Sequence, residues 1–255
     1  MVERLIPNQH AAGSSPACPA TFHIMAFPGI PDPDEAGIDQ VPAHLADVIL
    51  AELADVLEYP ASAHYSILQY CRLLMAANTV TNLTGAKGYD RLIGDHVIDC
   101  IKAAKYMPGT ACYMDWGSGG GFPGLIWASM YADKHFHLCE RNGKKAAFLE
   151  EARMALEFMH VDVHARQGEE IGSKLDPHAN WICARAVEPL PKFLRRLDKK
   201  SLKIRRLCLM AGPSWQADWA EIKENGSRWK LMDEYKYLLS EERGERFVLH
   251  FKRPK

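Results

Sequence analysis

The chain has 255 residues, 47% apolar and 25% charged, with a formal net charge of −1. That composition is ordinary for a globular chain, and it excludes a globally basic nucleic-acid binder while leaving room for a local basic patch. No apolar run approaches the ~18 residues of a membrane-spanning helix, and seven cysteines without a Cys-x-x-Cys point to free thiols in a reducing cytoplasm, not to a disulfide framework or zinc knuckle.

Residues 1–40 are dense in Pro, Gly, Ala and Ser and show no apolar period. They lack the basic start and apolar stretch of a secretory signal. They are expected to be a disordered, dispensable extension, with Met25 an alternative start. Residues 41–108 read as a helical region. In "AHLADVILAELADVL", Leu45, Val48, Ile49, Leu53, Val56 and Leu57 fall near one face. In "SAHYSILQYCRLLMAAN", Tyr65, Leu68, Cys71, Arg72 and Met75 share a side. A third segment, "YDRLIGDHVIDCIKAAKYM", follows the break "TNLTGAKG".

From residue 109 the rhythm changes, and residues 109–255 read as the core. Short apolar runs at 111–116, 135–140, 161–165, 181–186 and 205–212 are expected as strands, with helices over 123–132, 143–159 and 189–197 between them. "WKLMDEYKY" and "ERFVLHFKR" read as a closing antiparallel pair. Strands alternating with helices imply an α/β fold with a mostly parallel, doubly wound sheet.

The stretch "DWGSGGGFPG" (115–124) concentrates glycine where the first strand meets its turn. In such sheets ligands sit beyond the carboxyl ends of the strands. An unliganded turn is one reading. A dinucleotide fingerprint G-x-G-x-x-G is met by Gly119, Gly121 and Gly124, but two residues too late for the strand end. The pattern acid-x-G-x-G-x-G, met by Asp115, Gly117, Gly119 and Gly121, suits S-adenosylmethionine (SAM), whose cationic groups favour a carboxylate over a phosphate cradle. Glu140 ends the second strand, where a carboxylate can accept ribose hydroxyls.

Several motifs then occur in one order: "TNLTG" (81–85), "DHVIDCI" (95–101), "GSGGGFPGL" (117–125), "CERNGKKAAFL" (139–149) and "ARA" (184–186). Together they resemble the RsmG (GidB) family of 16S rRNA guanine-N7 methyltransferases, over roughly residues 45–253. The resemblance implies a Rossmann-like class I SAM-dependent methyltransferase with a seven-stranded sheet. It implies SAM as cofactor, and 16S rRNA or the small ribosomal subunit as partner. It also implies that Gly117 and Phe122 line the SAM pocket, that Glu140 holds the ribose, that Gly168 and Glu169 border the adenine, and that Arg185 stands beside the reacting centre. The family's Lys-Gly after the fifth strand is here Ala211-Gly212, so a cationic contact expected there is missing.

Arg185 closes an apolar strand, so it is expected at the rim of the site. Its alternatives are a salt bridge to Glu188 or a contact with guanine O6. On that reading, removing it costs transfer but little stability. "RRLDKKSLKIRR" (195–206) carries seven basic residues and one acid. Arg195, Arg196, Arg205 and Arg206 there, with Arg141, Lys144 and Lys145 near the cofactor edge, are the expected RNA contacts; a solvated face is the alternative. His96 and Asp99 suit either a ligand contact or a tie between helices and sheet. His135, His137 and Cys139 alternate on one strand face, but no fourth ligand is evident, so no metal is expected. A monomer is expected. A non-catalytic RNA-binding assembly factor and, on the shifted glycine match, an NAD-dependent oxidoreductase are the competing functions.

Overall fold

The computed structural model describes residues 29–56, 59–176, 178, 180–185, 188–199 and 202–254. Five parallel strands form the centre: β1 (Cys112–Trp116), β2 (His135–Cys139), β3 (Val161–His164), β4 (Asn180–Arg185) and β5 (Arg206–Ala211). The long hairpin β6 (Lys230–Ser240) and β7 (Gly244–Lys252) closes the edge antiparallel. The order is β3-β2-β1-β4-β5-β7-β6. This is the mostly parallel, doubly wound sheet anticipated from the alternating pattern, with the seven strands that the resemblance implies. Chain direction across the sheet reverses beside β1, so a crevice opens between the carboxyl ends of β1 and β4.

Helices cover both faces. One face carries α1 (Ala43–Ala54), α2 (Ala63–Asn78), α3 (Tyr89–Leu92), α4 (Ile98–Ala104), α5 (Gly124–Met130) and α6 (Gly143–Ala155). The other carries the short α7 (Gly168–Gly172), α8 (Leu190–Lys199) and α9 (Trp215–Asn225). The central strands are apolar on both faces because both are covered; Tyr113 and Met114, which point opposite ways, are each fully buried.

The helical faces differ from the sequence reading. Ile49 and Leu53 are buried on α1, but Val48 is exposed, and Leu57 lies outside the described residues. On α2, Ile67, Tyr70, Cys71 and Leu74 are buried while Tyr65 is exposed. The cause is that α2 packs against α1, α5 and α6 at once, so no single stripe describes it. A π-helical turn, Ile93–Val97, joins α3 to α4. The expected helix over 143–159 ends at Ala155, after which Glu157 takes a left-handed φ of 55°.

Residues 1–28 of the expected extension lie outside the described residues. Residues 29–40 do not behave as an unpacked tail. Ile30 is buried in the helical core, and Arg72 donates from Nη2 to the Ile38 carbonyl at 3.1 Å and pairs with Asp34. A chain starting at Gln40 is therefore expected to melt earlier. Losing a buried isoleucine costs about 2–5 kcal/mol, or a Tm drop of at least about 4 °C at this size. Calorimetry on the truncated and full chains checks this; equal Tm values would mean the segment contributes nothing.

Candidate active site

The glycine loop leaves β1 with Gly117, Gly119 and Gly121 at φ of 76°, 58° and 105°. These left-handed values are open to glycine and strained for side chains. Gly117 and Ser118 donate to the Cys139 carbonyl at 2.8 and 3.2 Å, which docks the loop on the end of β2. Tyr70 of α2 donates to the Gly120 carbonyl at 2.5 Å. The loop, Glu140 and Arg185 border a cleft of about 900 Å3 at the carboxyl ends of the strands.

Three expected cofactor contacts, Gly121, Asp115 and Glu169, are not on that cleft. Gly121 is enclosed: a Cβ there would stand 2.7 Å from Leu125 and 3.1 Å from the Tyr70 hydroxyl. Asp115 is fully buried beneath the loop, where Oδ2 accepts from the Gly124 amide at 3.0 Å, at the start of α5. Its Oδ1 has no partner. Burial pushes its carboxyl from 3.8 up to about 7. The residue braces the loop from below and presents no carboxylate to a cation in the cleft. The sequence pattern located the strand end correctly but not the direction of the side chain.

That burial has a pH signature. The folded state holds the Asp115 proton up to about pH 7, whereas an unfolded chain releases it near 3.8. The stabilisation is therefore complete below about pH 4, declines as pH rises, and is gone above about 7. At about 1.4 kcal/mol per unit, the loss is on the order of 4 kcal/mol. Calorimetry from pH 5 to 8 should show a falling Tm that Asp115→Asn flattens. Parallel curves for the two proteins would contradict this.

The opposite wall comes from β2 and β3. Glu140 is 8% exposed, with Oε2 accepting from the Gly119 amide at 3.0 Å and Oε1 from the Asn142 amide at 2.8 Å. Asn142 caps α6, its Oδ1 accepting from Lys144 and Lys145 at 3.0 and 3.2 Å. The carboxylate is thus fixed in orientation and has lone pairs left for a diol. Gly168 lines the cleft after β3; a Cβ there would strike the buried Trp116 ring at 2.4 Å. Glu169 does not line the cleft, because Arg196 holds its Oε1 at 2.7 Å.

Arg185 lies at the end of β4, as its place after an apolar run predicts. Its partner is Asp99, not Glu188: Nη1 donates to Asp99 Oδ2 at 3.1 Å and to the Asp95 carbonyl at 3.4 Å. Nη2 donates to His96 Nδ1 at 2.9 Å. Burial, then Arg185 itself, depresses the His96 pKa, so the ring is neutral with its proton on Nε2. The guanidinium also sits 5.1 Å over the Phe122 ring, which Tyr70 meets edge-on. Tyr237 of β6 donates to Asp99 Oδ1 at 2.7 Å. The π-helical turn lets Asp95 and His96 face Arg185 together with Asp99 of α4, a common use of such turns. His96 lines the cleft, while Asp99 ties helix to sheet.

The basic residues divide. Arg141, Lys145, Arg195 and Arg196 line the cleft, with Lys144 exposed beside it. Arg196 is committed inward to Glu169 and Glu188, 5.6 Å over the Trp116 ring. Arg205 and Arg206 are elsewhere. They precede or begin β5, at the amino end of the sheet, where Arg206 lies 5.5 Å over Trp181 and Arg205 donates to the Pro254 carbonyl at 2.7 Å. A linear charge run spans a whole helix-to-strand connection, so its two ends reach opposite ends of the strands. Lys200 lies outside the described residues.

Sequence reasoning missed Arg166 and Lys192, which also line the cleft, and Tyr70 and Tyr237, which support it. Arg166 was detectable, standing two residues before Gly168; the tyrosines carry no local signal that separates them from other aromatic residues of a helix or strand. Leu83, Thr84 and Gly85 of "TNLTG" form the upper rim, held by Asn78 Oδ1 accepting from Leu83 and Thr84 at 2.9 and 3.0 Å. Behind Arg185 a smaller cavity of about 270 Å3 is lined by Ala211, Gly212 and Asp218. No lysine stands at 211, but Arg246 of β7 borders the same cavity.

This arrangement sits within a recognised family. The rRNA small subunit methyltransferase G (GidB) family matches residues 63–242. The chain belongs to this family. It is similar to the ribosomal RNA small subunit methyltransferase G of Brachyspira hyodysenteriae, at 30% identity over 204 residues, covering 80% of this chain and 98% of that one. The Paracoccus denitrificans enzyme of the same name is 33% identical over 165 residues, covering 64% and 81%. Among solved structures the chain is similar to the B. subtilis M1A22 tRNA methyltransferase TrmK, at 18% identity and a TM-score of 0.45, covering 62% and 66%. Family membership makes the chain a methyltransferase. Among the described residues no helix is long and apolar enough to cross a membrane.

Proposed function

We propose that the chain transfers the methyl group of SAM to N7 of a guanine in the 16S rRNA of the small ribosomal subunit. The observation that carries this reading is Arg185, held by three partners at the end of β4, facing the same cleft as Glu140 and Gly119. The cleft fits the cofactor. A Cβ on Gly119 would meet nothing nearer than the Gly117 carbonyl at 3.8 Å, so the loop leaves open space there. Glu140 would take the ribose hydroxyls, with Gly117, Phe122 and Gly168 around the rest.

When bound, SAM supplies a methyl group on a sulfonium centre that a lone pair displaces. Guanine N7 carries an in-plane lone pair, so no side chain needs to remove a proton. The residues' work is orientation. Arg185 uses three of its five N–H groups on Asp95, Asp99 and His96, which leaves Nε–H and one Nη2–H for guanine O6. Adenine, with a donor in place of O6, is rejected there.

Arg141, Lys144 and Lys145 make no ion pair with a described residue and stand at or beside the cleft; they are the phosphate contacts of this reading. Arg141→Glu with Lys145→Glu is expected to flatten the salt slope of RNA binding by roughly 1.4, at about 0.7 per single-strand contact. Arg205→Glu with Arg206→Glu, at the amino end of β5, should leave the slope unchanged. Measured slopes in the reverse pattern would relocate the RNA surface.

A second reading, a non-catalytic assembly factor, is favoured by Ala211 in place of the lysine that the resemblance implies. Incubation of small-subunit rRNA with the chain and methyl-labelled SAM separates the two. Incorporation into RNA supports the enzyme. SAM binding without incorporation into free rRNA or assembled subunits supports the factor.

A further inference from the structure

Away from the cleft, four ligand-type side chains meet on one face of the β2–β3 edge. On β2, alternation sends Phe136 and Leu138 into the core and His135 and His137 to the opposite face. On β3, Val161 is buried and Asp162 and His164 share the other face. The parallel register sets His137 beside Asp162 and Cys139 beside His164. A His-x-His on one strand therefore faces an Asp-x-His on the next.

The ligand atoms run in a chain, one from each residue. His135 Nε2 lies 2.8 Å from Asp162 Oδ2, that oxygen 3.5 Å from His137 Nδ1, and that nitrogen 3.2 Å from His164 Nε2. The atoms of His135, His137 and Asp162 all lie within 4.8 Å of one another. A tetrahedral ion bound at about 2.0–2.2 Å has ligand-to-ligand edges of roughly 3.3–3.6 Å. The three contacts, 2.8, 3.5 and 3.2 Å, lie near that edge, and His164, which reaches the group through His137 alone, has to turn inward to complete a tetrahedron.

We propose that His135, His137 and Asp162, with His164 as the fourth ligand, form a site for a zinc-type divalent ion. Imidazole nitrogens with one carboxylate suit zinc or cobalt better than calcium or magnesium, which take oxygen sets. The site is open to entry: the side chains of His135 and Asp162 are 36% and 54% exposed. The sequence expectation of no metal lacked a further ligand in reach of His135 and His137; the β2–β3 register brings in Asp162 and His164. An ion here cross-links the two strands whose carboxyl ends lead to Glu140 and Gly168, and the Glu140 amide donates to the His164 carbonyl at 3.1 Å. The site does not depend on what the cleft binds.

The test uses the full chain, stripped with chelator and titrated with zinc by calorimetry and with cobalt by absorption at pH 7.5. One ion per chain is expected. The cobalt spectrum should show tetrahedral visible bands without a thiolate charge-transfer band, which separates this site from the cysteines. His137→Ala should weaken binding by more than the ~10–100-fold that follows loss of an outer hydrogen-bond partner. Asp162→Asn, at an exposed position where folding is not in question, should weaken it as well. Zinc should raise the Tm of the wild type and not of His137→Ala. Absence of stoichiometric uptake, a thiolate band, or uptake undiminished in Asp162→Asn would each overturn the proposal and leave a hydrogen-bonded histidine cluster. SAM affinity of metal-free Asp162→Asn should match the wild type, so this result and that of the methyl-transfer assay stand apart.

Discussion

Arg185→Ala is expected to abolish methyl transfer and also to destabilise the fold. The second effect departs from the sequence expectation, which placed Arg185 at a rim where its loss would be silent. Asp99 is 6% exposed, and with Arg185 gone its carboxylate keeps only the Tyr237 hydroxyl of the two groups. Breaking one side of a buried ion pair costs about 3–5 kcal/mol. At this size that is a Tm drop of roughly 6–20 °C. Loss of a donor aimed at the reacting base should cost at least about 100-fold in rate. The two effects separate in the double variant Asp99→Asn with Arg185→Ala. The amide put in place of the Asp99 carboxylate would still accept from Tyr237 without a stranded charge, so much of the stability should return while transfer stays absent. Recovery of transfer with stability would make Arg185 a structural residue alone. Arg185→Lys should restore only part of the rate, lacking the planar fork.

Gly119→Val should remove SAM binding while the protein still folds. Its φ of 58° costs a β-branched residue on the order of 1–3 kcal/mol, a Tm drop of about 2–12 °C. The added Cβ clashes with nothing in the protein, so the side chain stands in the cleft. SAM affinity should fall by more than about 100-fold, the scale of 2.7 kcal/mol, read by calorimetric titration. Gly124→Val is the contrasting control. There a Cβ would come within 2.3 Å of Leu138 and 2.6 Å of Asp115 Oδ2, so the loss should be of folding. Near-normal affinity in Gly119→Val would reduce the loop to a turn.

What could be read from the sequence follows from which interactions are local. The alternation of short apolar runs with helical segments gave β1 to β5, and the change to polar alternation gave the β6–β7 hairpin. Glycines at left-handed φ, and Glu140 and Arg185 at strand ends, were legible because position along a strand determines which end of the sheet a residue reaches. Helix α9 was not anticipated: only Trp215 and Ile222 of it are buried, too few to set up a period. Side-chain direction was less legible. Asp115 looked like a cofactor contact because it leads into the glycines, yet its side chain turns under them to meet Gly124. Contacts between distant segments were not legible at all. Asp99, Tyr237 and Arg185 converge from a helix, a hairpin and a central strand, and His135, His137, Asp162 and His164 require the β2–β3 register. The run 195–206 shows the opposite error, since adjacency in sequence suggested one surface where folding makes two.

On this reading the methyl group goes to N7 of a guanine in small-subunit rRNA. This is tested most directly by treating 16S rRNA and assembled small subunits with the chain and SAM, digesting to nucleosides, and separating products by mass spectrometry. The expected product is 7-methylguanosine, formed in proportion to enzyme turnover, absent with Arg185→Ala and Gly119→Val, and unaccompanied by methylated adenosine. Methyl groups on an exocyclic amine or on adenine, or no methylated nucleoside from either substrate despite SAM binding, would contradict it.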